Sequence, residues 1–209
     1  MNIAYRFRIY PTEEQKILLG KTFGCCRFLY NQMLNDKIQE YKKSKTMLKN
    51  TPAMYKKAYP FLKEVDSLAL ANVQLNLQSA LKNCFDKSRK RQNGFPKFKS
   101  AKHSRKSYTT NNQKGTVAII DDRYIKLPKI GKIKAVIHRK PDADWTIKSA
   151  TISQDSDGKF YVSILFEYEK AITPAIISDN AVGIDYKSDG LYMDSNGSVS
   201  YTHLRAHET

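Results

Sequence analysis

One carboxylate stands where catalytic or metal-binding chemistry would place it, at the end of the apolar segment Val182-Gly183-Ile184-Asp185. The apolar residues predict a buried strand, and a buried carboxylate is costly unless it is paired or binds a metal. A two-metal site needs several converging carboxylates, because one aspartate can neither neutralise nor position two divalent ions. Asp189 and Asp194 follow, but each adjoins a predicted turn. Asp185 is therefore either the first ligand of an incomplete metal site or an ordinary aspartate where a strand meets a turn.

A second chemistry, the binding of phosphate polymers, is indicated by residues 82–108, which carry ten cations against one acid, Asp86. Aromatic residues are interleaved with the cations, so that cations can neutralise phosphates while rings stack on bases. The alternative is a solvated loop that its phenylalanines anchor, but such a like-charge block otherwise repels itself. The candidate nucleic-acid-binding residues here are Lys87, Arg89, Lys90, Arg91, Phe95, Lys97, Phe98, Lys99, Lys102, Arg105 and Lys106.

Two smaller groups of residues are also candidates for nucleic-acid binding. Arg6 and Arg8 lie beside Tyr10 on the polar face of a predicted strand, where they could meet a duplex or an RNA backbone. Their alternative role is to protect an edge strand from pairing with another chain. The second group opens a predicted helix, with packing and solvated surface as the alternative: Arg27, Tyr30 and Asn31.

The composition also favours a nucleic-acid partner. The chain has 209 residues, 41% of them hydrophobic, and a formal net charge of +16. This length predicts one or two domains with a buried core, and the charge predicts a polyanionic partner, with a membrane surface as the less usual alternative. No apolar run is long enough to span a bilayer, and the N-terminus lacks the apolar core of a signal peptide. We therefore expect a cytoplasmic protein with reduced cysteines.

The secondary structure begins with a predicted strand and two helices. Tyr5, Phe7 and Ile9 alternate with polar residues, which is typical of a strand. Thr12-Glu13-Glu14-Gln15 predicts a capping box that opens a helix. Gly24 is expected to break that helix before a second one runs toward Lys43, an arrangement similar to a helix-turn-helix.

The later elements predict an α+β fold. Ser67 is predicted to be a cap by its residue type, and the apolar residues that follow it at spacings of three and four predict an amphipathic helix. From Thr116 onward the period is two, which predicts antiparallel strands forming a small barrel that the first strand could complete, with the helices as an insertion. The predicted strands are residues 117–120, 123–127, 132–137, 146–153 and 159–167, followed by 181–186 and 191–195.

Charge changes sign near residue 179: residues 93–108 hold five basic and no acidic side chains, whereas residues 179–209 hold two basic and five acidic ones. This change predicts a domain boundary in that region. Residues 199–209 resemble one reading frame of a sequencing-library adapter and are expected to be a non-native tail.

Four segments together resemble the OrfB/TnpB family of transposon-encoded proteins, RNA-guided nucleases that are related to type V CRISPR effectors. They occur in the family's order. The segments are Tyr5-Arg6-Phe7-Arg8-Ile9-Tyr10-Pro11-Thr12-Glu13-Glu14-Gln15, Cys26-Arg27-Phe28-Leu29-Tyr30-Asn31, Gly94-Phe95-Pro96-Lys97-Phe98-Lys99-Ser100, and Val182-Gly183-Ile184-Asp185 with Leu191-Tyr192-Met193-Asp194-Ser195-Asn196-Gly197.

The resemblance implies a wedge-like β-barrel interrupted by a helical recognition lobe, then the first strands of a RuvC-like domain of the ribonuclease-H type. It implies a guide RNA and target DNA as partners, and Mg²⁺ for DNA cleavage by the full-length protein. Asp185 carries over as the first catalytic carboxylate and metal ligand. The family's later acidic residues and zinc ribbon have no counterpart here, so we expect an inactive N-terminal fragment.

The expected organisation starts with residues 1–11 as the first barrel strand. It continues with residues 12–92 as the helical lobe, 93–115 as a basic aromatic loop, 116–170 as barrel strands, 171–180 as a linker and 181–198 as the start of the nuclease domain. The alternative function is a stand-alone, non-enzymatic helix-turn-helix DNA-binding protein, and a basic membrane-surface protein is a third hypothesis.

Overall fold

The computed structural model describes residues 1–86, 94–169, 182–186 and 191–200. By its internal contacts the chain divides into two units, Met1–Lys170 and Ala171–Thr209. The described part of the first unit is mixed α+β, with three α-helices and an antiparallel sheet that curls into a half-barrel. No helix in the described ranges is long and apolar enough to cross a membrane.

The sheet of the first unit has seven strands in the order β2-β6-β7-β1-β5-β4-β3, all paired antiparallel. Its described strands leave β2 and β3 as edges, so the expected barrel is observed as an open, curled sheet. The strands are β1 (Asn2–Tyr10), β2 (Lys106–Asn111), β3 (Ala118–Ile120), β4 (Tyr124–Leu127), β5 (Gly131–Val136), β6 (Thr146–Gln154) and β7 (Phe160–Glu167).

Strand β1 occupies the middle of this sheet. It pairs along nearly its whole length with β7, and its last residues pair with β5. Phe7 and Ile9 point into the core, whereas Arg6, Arg8 and Tyr10 are exposed, as their alternation predicts. Because β1 has a neighbour on both sides, edge protection does not explain its two arginines.

Strand β2 lies within residues 93–115, for which the sequence predicts a basic loop, so that prediction is wrong for Lys106–Asn111. Its sequence is polar throughout, Lys-Ser-Tyr-Thr-Thr-Asn, so it lacks the apolar alternation that marks the other strands. The structure supplies the reason for its pairing: Tyr108 and Thr110 are buried on the core face, and the Tyr108 ring centroid lies 5.7 Å from that of Phe23.

Helix α1 (Glu13–Ser44) runs without interruption, so the expected break at Gly24 is wrong. A helix-interior glycine costs about 0.5–1 kcal/mol relative to alanine. The neighbours Phe23, Cys25 and Cys26 are buried, and their packing outweighs that local cost. The predicted capping box is confirmed, because the Thr12 hydroxyl accepts from the Gln15 amide and the Gln15 side chain accepts from the Thr12 amide.

Two further helices follow, α2 (Pro52–Ala58) and, after a 3-10 turn at Pro60–Lys63, α3 (Ser67–Phe85). The cap of α3 is Asp66, so the expectation of Ser67 is wrong by one residue. The Asp66 carboxylate accepts hydrogen bonds from the Leu68 and Ala69 amides at 3.1 and 3.3 Å. A carboxylate is a strong cap because it is also favoured by the positive end of the helix dipole.

The described part of the second unit is a small three-stranded antiparallel sheet. Its strands are β8 (Ile184–Tyr186), β9 (Tyr192–Asp194) and β10 (Val199–Ser200), in the order β10-β9-β8. All three residues of β8 are exposed, and Ile184 retains 69% of its accessible surface. The expected burial of the strand at Asp185 is therefore wrong for the described residues.

Candidate nucleic-acid interface

The basic segment that follows α3 is described from Gly94, and residues 94–105 are here called the basic loop. Its centre is fixed to α1 by the Asn31 side chain: the Asn31 amide donates to the Lys99 carbonyl, and the Lys99 amide donates to the Asn31 oxygen, both at 2.8 Å. A side-chain amide that pairs twice with the backbone holds one residue in a defined register. Asn31 therefore positions the loop.

The Lys99 side chain reinforces this attachment. Its amine lies over the Tyr30 ring, 4.2 Å from the centroid, in a cation–π contact. Burial of the amine lowers the pKa of Lys99, and burial raises the pKa of Tyr30. The structure thus brings three candidate residues together as an anchor, and their contacts are with each other.

Other residues of the basic loop point to solvent. Phe98 retains 56% of its surface and Phe95 retains 46%. The Phe95 ring meets the exposed Phe85 ring edge-on, with centroids 6.4 Å apart. Exposed rings among cations suit contact with nucleic-acid bases. Lys99 is exposed along part of its side chain, although its amine is covered by Tyr30. The other exposed cations of this region are Lys97, Lys102, Arg105 and Lys106.

A small cavity lies beneath the loop, between α1, α3 and β2. Arg27, Asn72, Asn76 and Arg105 are among its polar lining residues. Its volume is about 50 Å³, which holds one or two water molecules and excludes a nucleotide base. Arg27 keeps part of its surface exposed at this site, so a ligand at the rim of the cavity can reach it.

The two arginines of β1 have different surroundings. Arg6 forms an ion pair with Asp155 at 2.7 Å, and its guanidinium lies 4.0 Å from the centroid of the Tyr161 ring. Arg8 lies 5.0 Å from the centroid of the Tyr10 ring and has no ion pair within the described ranges. Arg8 interacts electrostatically with Asp157, a carboxylate that is already paired with Lys159. Its charge is therefore less fully compensated than that of Arg6, and Arg8 is the better placed of the two to meet a phosphate.

Four candidates, Lys87, Arg89, Lys90 and Arg91, lie outside the described residues. Sequence reasoning also overlooked a set of cations on β4 and β5, which alternate with buried residues. Their signal was present in the sequence as lysine at every second position, but only the sheet shows that they share a face. These residues are Lys126, Lys132 and Lys134.

Asp185 lies in the middle of β8, opposite Met193, and its strand is exposed. Asp194, which pairs with Ile184 across the hairpin, is already engaged, since its carboxylate accepts from the Asn196 and Ser198 amides at 2.9 and 2.8 Å. Within the described ranges, no group of three or more His, Cys, Asp or Glu side chains could hold a metal ion.

Comparison with known proteins shows which protein family this chain is similar to. A family model described as a helix-turn-helix domain, HTH_OrfB_IS605, matches residues 1–46, which here form β1 and the uninterrupted α1. A candidate RNA-guided DNA endonuclease of Streptomyces pristinaespiralis is 32% identical over 213 residues, covering 93% of this chain and 48% of that protein. The candidate RNA-guided DNA endonuclease InsQ of Escherichia coli is 30% identical over 208 residues, covering 94% and 48%.

Virulence protein VsdF of Salmonella dublin is 37% identical over 110 residues, which cover 46% of this chain and 91% of that protein. The α+β fold, the cationic surface and these similarities define a protein of the transposon-encoded class. The chain belongs to the OrfB/TnpB family. It spans about half the length of the two candidate endonucleases that it matches.

Proposed function

We propose that this chain is the nucleic-acid-binding part of an RNA-guided DNA endonuclease of an insertion sequence, and that it binds a guide RNA and target DNA. The observation that carries the proposal is the similarity of 93% of the chain to a candidate RNA-guided DNA endonuclease. The net charge of +16 and the exposed rings and cations of the basic loop support it, because both suit sugar-phosphate polymers.

The proposal assigns separate roles to the candidate residues. Asn31, Tyr30 and the Lys99 amine hold the basic loop against α1, so that the exposed loop residues meet the nucleic acid. Lys87, Arg89, Lys90 and Arg91 belong to the same charged segment of the sequence, and we propose that they also bind nucleic acid. Arg27 and Arg8 would contact phosphates at its margins, and Arg6 supports the surface through its contacts with Asp155 and Tyr161.

The proposal also includes residues 181–198 as the start of a RuvC-like domain, with Asp185 as its first catalytic carboxylate. In a complete site of this kind, Asp185 would be one of several carboxylates that hold Mg²⁺, and the metal would supply Lewis-acid chemistry. The described residues do not fit such an ion by themselves, because Asp185 has no converging carboxylate and Asp194 caps a turn. We therefore propose that this chain binds nucleic acid without cutting it.

The test is a titration of the purified chain with labelled structured RNA and with duplex DNA, at several salt concentrations. If about six phosphates are neutralised, the logarithm of the association constant falls against that of the salt concentration with a slope of about −5 on duplex DNA. A slope near zero would contradict the electrostatic basis of the proposal. Cleavage of DNA by this chain in Mg²⁺ would contradict its inactivity.

A stand-alone DNA-binding protein is the second candidate, because the matched family model is described as a helix-turn-helix domain. This candidate requires that part of α1 is free to enter a major groove. In the structure, α1 is continuous and Asn31 is occupied by the Lys99 backbone. Sequence-specific binding to a defined duplex without RNA, with base substitutions costing about 1–3 kcal/mol each, would favour it over the first proposal.

A further inference from the structure

A row of three side chains crosses the middle of the sheet on its solvent face. In the pairing register, Tyr10 of β1 is opposite Lys134 of β5, and Lys134 is opposite Tyr124 of β4. Side chains that are directly opposite in antiparallel strands point to the same side. Neighbouring strands lie about 4.8 Å apart, so the backbones of the two tyrosines are about 10 Å apart with that of a lysine between them.

The rows on either side continue the same chemistry. Lys132 is opposite Lys126 in the next row along β4 and β5. On the other side, Arg8 is opposite both Val136 and Tyr161. These eight residues are here called the tyrosine-lysine face: Arg8, Tyr10, Tyr124, Lys126, Lys132, Lys134, Val136 and Tyr161.

The side chains of this face are solvated. Tyr10 retains 44% of its accessible surface, Tyr124 retains 39% and Val136 retains 52%. The intervening residues of the same strands, such as Ile125 and Ile133, are fully buried, so the core uses the opposite side of the sheet. Core packing therefore does not explain the aromatic residues of this face.

The charges on this face are also not fully compensated. In the part of the chain that the structure describes, the three lysines form no ion pair, and neither does Arg8. The strands β1, β4 and β5 each have neighbours on both sides, so these lysines do not protect a sheet edge. Arg8 does interact electrostatically with Asp157, but that carboxylate is already paired with Lys159. Three unpaired lysines and an incompletely compensated arginine, arranged around exposed tyrosines, need another explanation.

The other half of the same sheet provides a contrast. There β2 and β6 pair two partly exposed threonines, Thr109 with Thr151. Their hydroxyls hydrogen-bond each other across the strands at 2.8 Å. The register pairs between β1, β5 and β4 include no such pair of small hydroxyl residues and instead bring tyrosines beside lysines.

We propose that the tyrosine-lysine face is a binding site for unpaired nucleotides, in which Tyr10 and Tyr124 stack on bases while Arg8 and the three lysines neutralise the connecting phosphates. This inference deepens the proposed function by naming single-stranded nucleic acid as the ligand of a second surface. Stacking requires a base whose face is free, and in a duplex those faces are covered by neighbouring base pairs. Rings that stand on a strand therefore select single strands, whereas the cations accept any phosphate chain.

The experiment compares the full chain with a Tyr10→Ala/Tyr124→Ala variant, using fluorescence anisotropy. The probes are labelled oligouridylate and oligodeoxythymidylate of about 12 nucleotides and an RNA duplex of the same length. We expect both single strands to bind the variant at least about fivefold more weakly for each ring removed, and duplex affinity to change by less than about twofold. The salt slope should be unchanged, because no charge is removed.

Three control variants make the result specific. Tyr10→Phe/Tyr124→Phe keeps the rings and should restore single-strand binding, whereas the unchanged duplex affinity of the alanine variant shows that this variant is folded. Tyr41→Ala removes an equally exposed tyrosine from α1 and should have no effect. Lys126→Gln/Lys134→Gln should weaken all three probes and reduce the salt slope by about one unit for each lysine.

Unchanged single-strand affinity in the tyrosine-to-alanine variant would overturn the inference, and so would an equal loss for single strands and duplex. If the unaltered chain bound none of the probes with a salt-dependent affinity, the proposed function itself would fail. The two failures are therefore distinguishable, because the first requires a wild-type chain that binds.

Discussion

Asp66 and Asp185 show how differently two aspartates are used in this molecule. Asp66 is 8% exposed, caps α3 through two amides and accepts a hydrogen bond from the Thr110 hydroxyl on β2. Asp185 lies on an exposed three-residue strand of the second unit. Asp66 is buried and hydrogen-bonded, so its role is structural. Asp185, the expected catalytic residue, has neither side-chain burial nor side-chain hydrogen-bond partners in the described residues.

The difference has a physical basis. A buried carboxylate must be compensated by hydrogen bonds, and Asp66 receives three of them from a helix end and a strand. An exposed carboxylate is compensated by water, so nothing local fixes its position. Pre-organised chemistry at Asp185 would need further carboxylates and a covering layer from elsewhere.

The largest effect that tests this comparison is the replacement of Asp66. We expect Asp66→Ala to lower the free energy of unfolding by about 3 kcal/mol, since a helix cap contributes about 1 kcal/mol and a buried unpaired hydroxyl costs about 1–3 kcal/mol. Urea denaturation followed by circular dichroism measures the change. Asp66→Asn keeps an oxygen acceptor and should lose less, and an equal loss in both variants would contradict the capping role.

The region around Asp66 should also be sensitive to alkaline pH. Burial raises the pKa of the nearby Cys26 thiol to about 12 and raises that of Tyr108 as well. The folded state therefore keeps protons that the unfolded state releases above about pH 9, so stability is complete below that pH and decreases as pH rises toward 12.

For a single such group, the free energy of unfolding should fall by about 1.4 kcal/mol per pH unit within this window. Urea denaturation at a series of pH values measures the slope. Cys26→Ala should reduce this slope by the contribution of one ionisable group. Cys84→Ala, which alters a less buried cysteine, is the control. An equal slope in the Cys26→Ala variant would show that its thiol does not contribute.

A smaller effect is expected where the basic loop meets α1. Asn31→Ala removes two hydrogen bonds to the Lys99 backbone, so we expect a stability loss of about 1 kcal/mol, faster proteolysis within the loop and weaker RNA binding. Asn35→Ala, one helical turn further on, is the matched control. Weaker binding without faster proteolysis would instead indicate that Asn31 contacts the nucleic acid directly.

The smallest effect is expected at the other end of the comparison. Asp185→Ala should change the free energy of unfolding by less than about 0.5 kcal/mol, because it removes an exposed side chain without a partner in the described residues. The same denaturation assay measures it beside Asp66→Ala. A loss that approaches that of Asp66→Ala would show that Asp185 is held by residues beyond the described ranges.

The sequence predicted the strands that alternate clearly, including β1, β4 and β7, because burial on one face imposes a period of two. It failed at β2, whose polar residues are buried by contacts with α1 and α3, and at Gly24, where tertiary packing overrides a local preference. Both failures arise from long-range contacts that no local pattern contains.

The sequence also predicts only part of the candidate site. Charge alone predicts the basic loop, because a dense block of cations can be recognised in the amino-acid sequence itself. The role of Asn31 was not visible, since its partner Lys99 is distant in sequence. The tyrosine-lysine face was hidden for the same reason: Tyr10 and Tyr124 become neighbours of Lys134 only through strand pairing.

The central position of β1 affects how the chain acquires its structure. The first strand emerges from the ribosome early but pairs with β7, whose residues are made last in this unit, and the terminal amine of Met1 donates to the Tyr168 carbonyl. Contacts of such long sequence separation slow folding. The backbone hydrogen bonds of α1 lie within residues 13–44, whereas the sheet cannot be completed until Glu167 has left the exit tunnel.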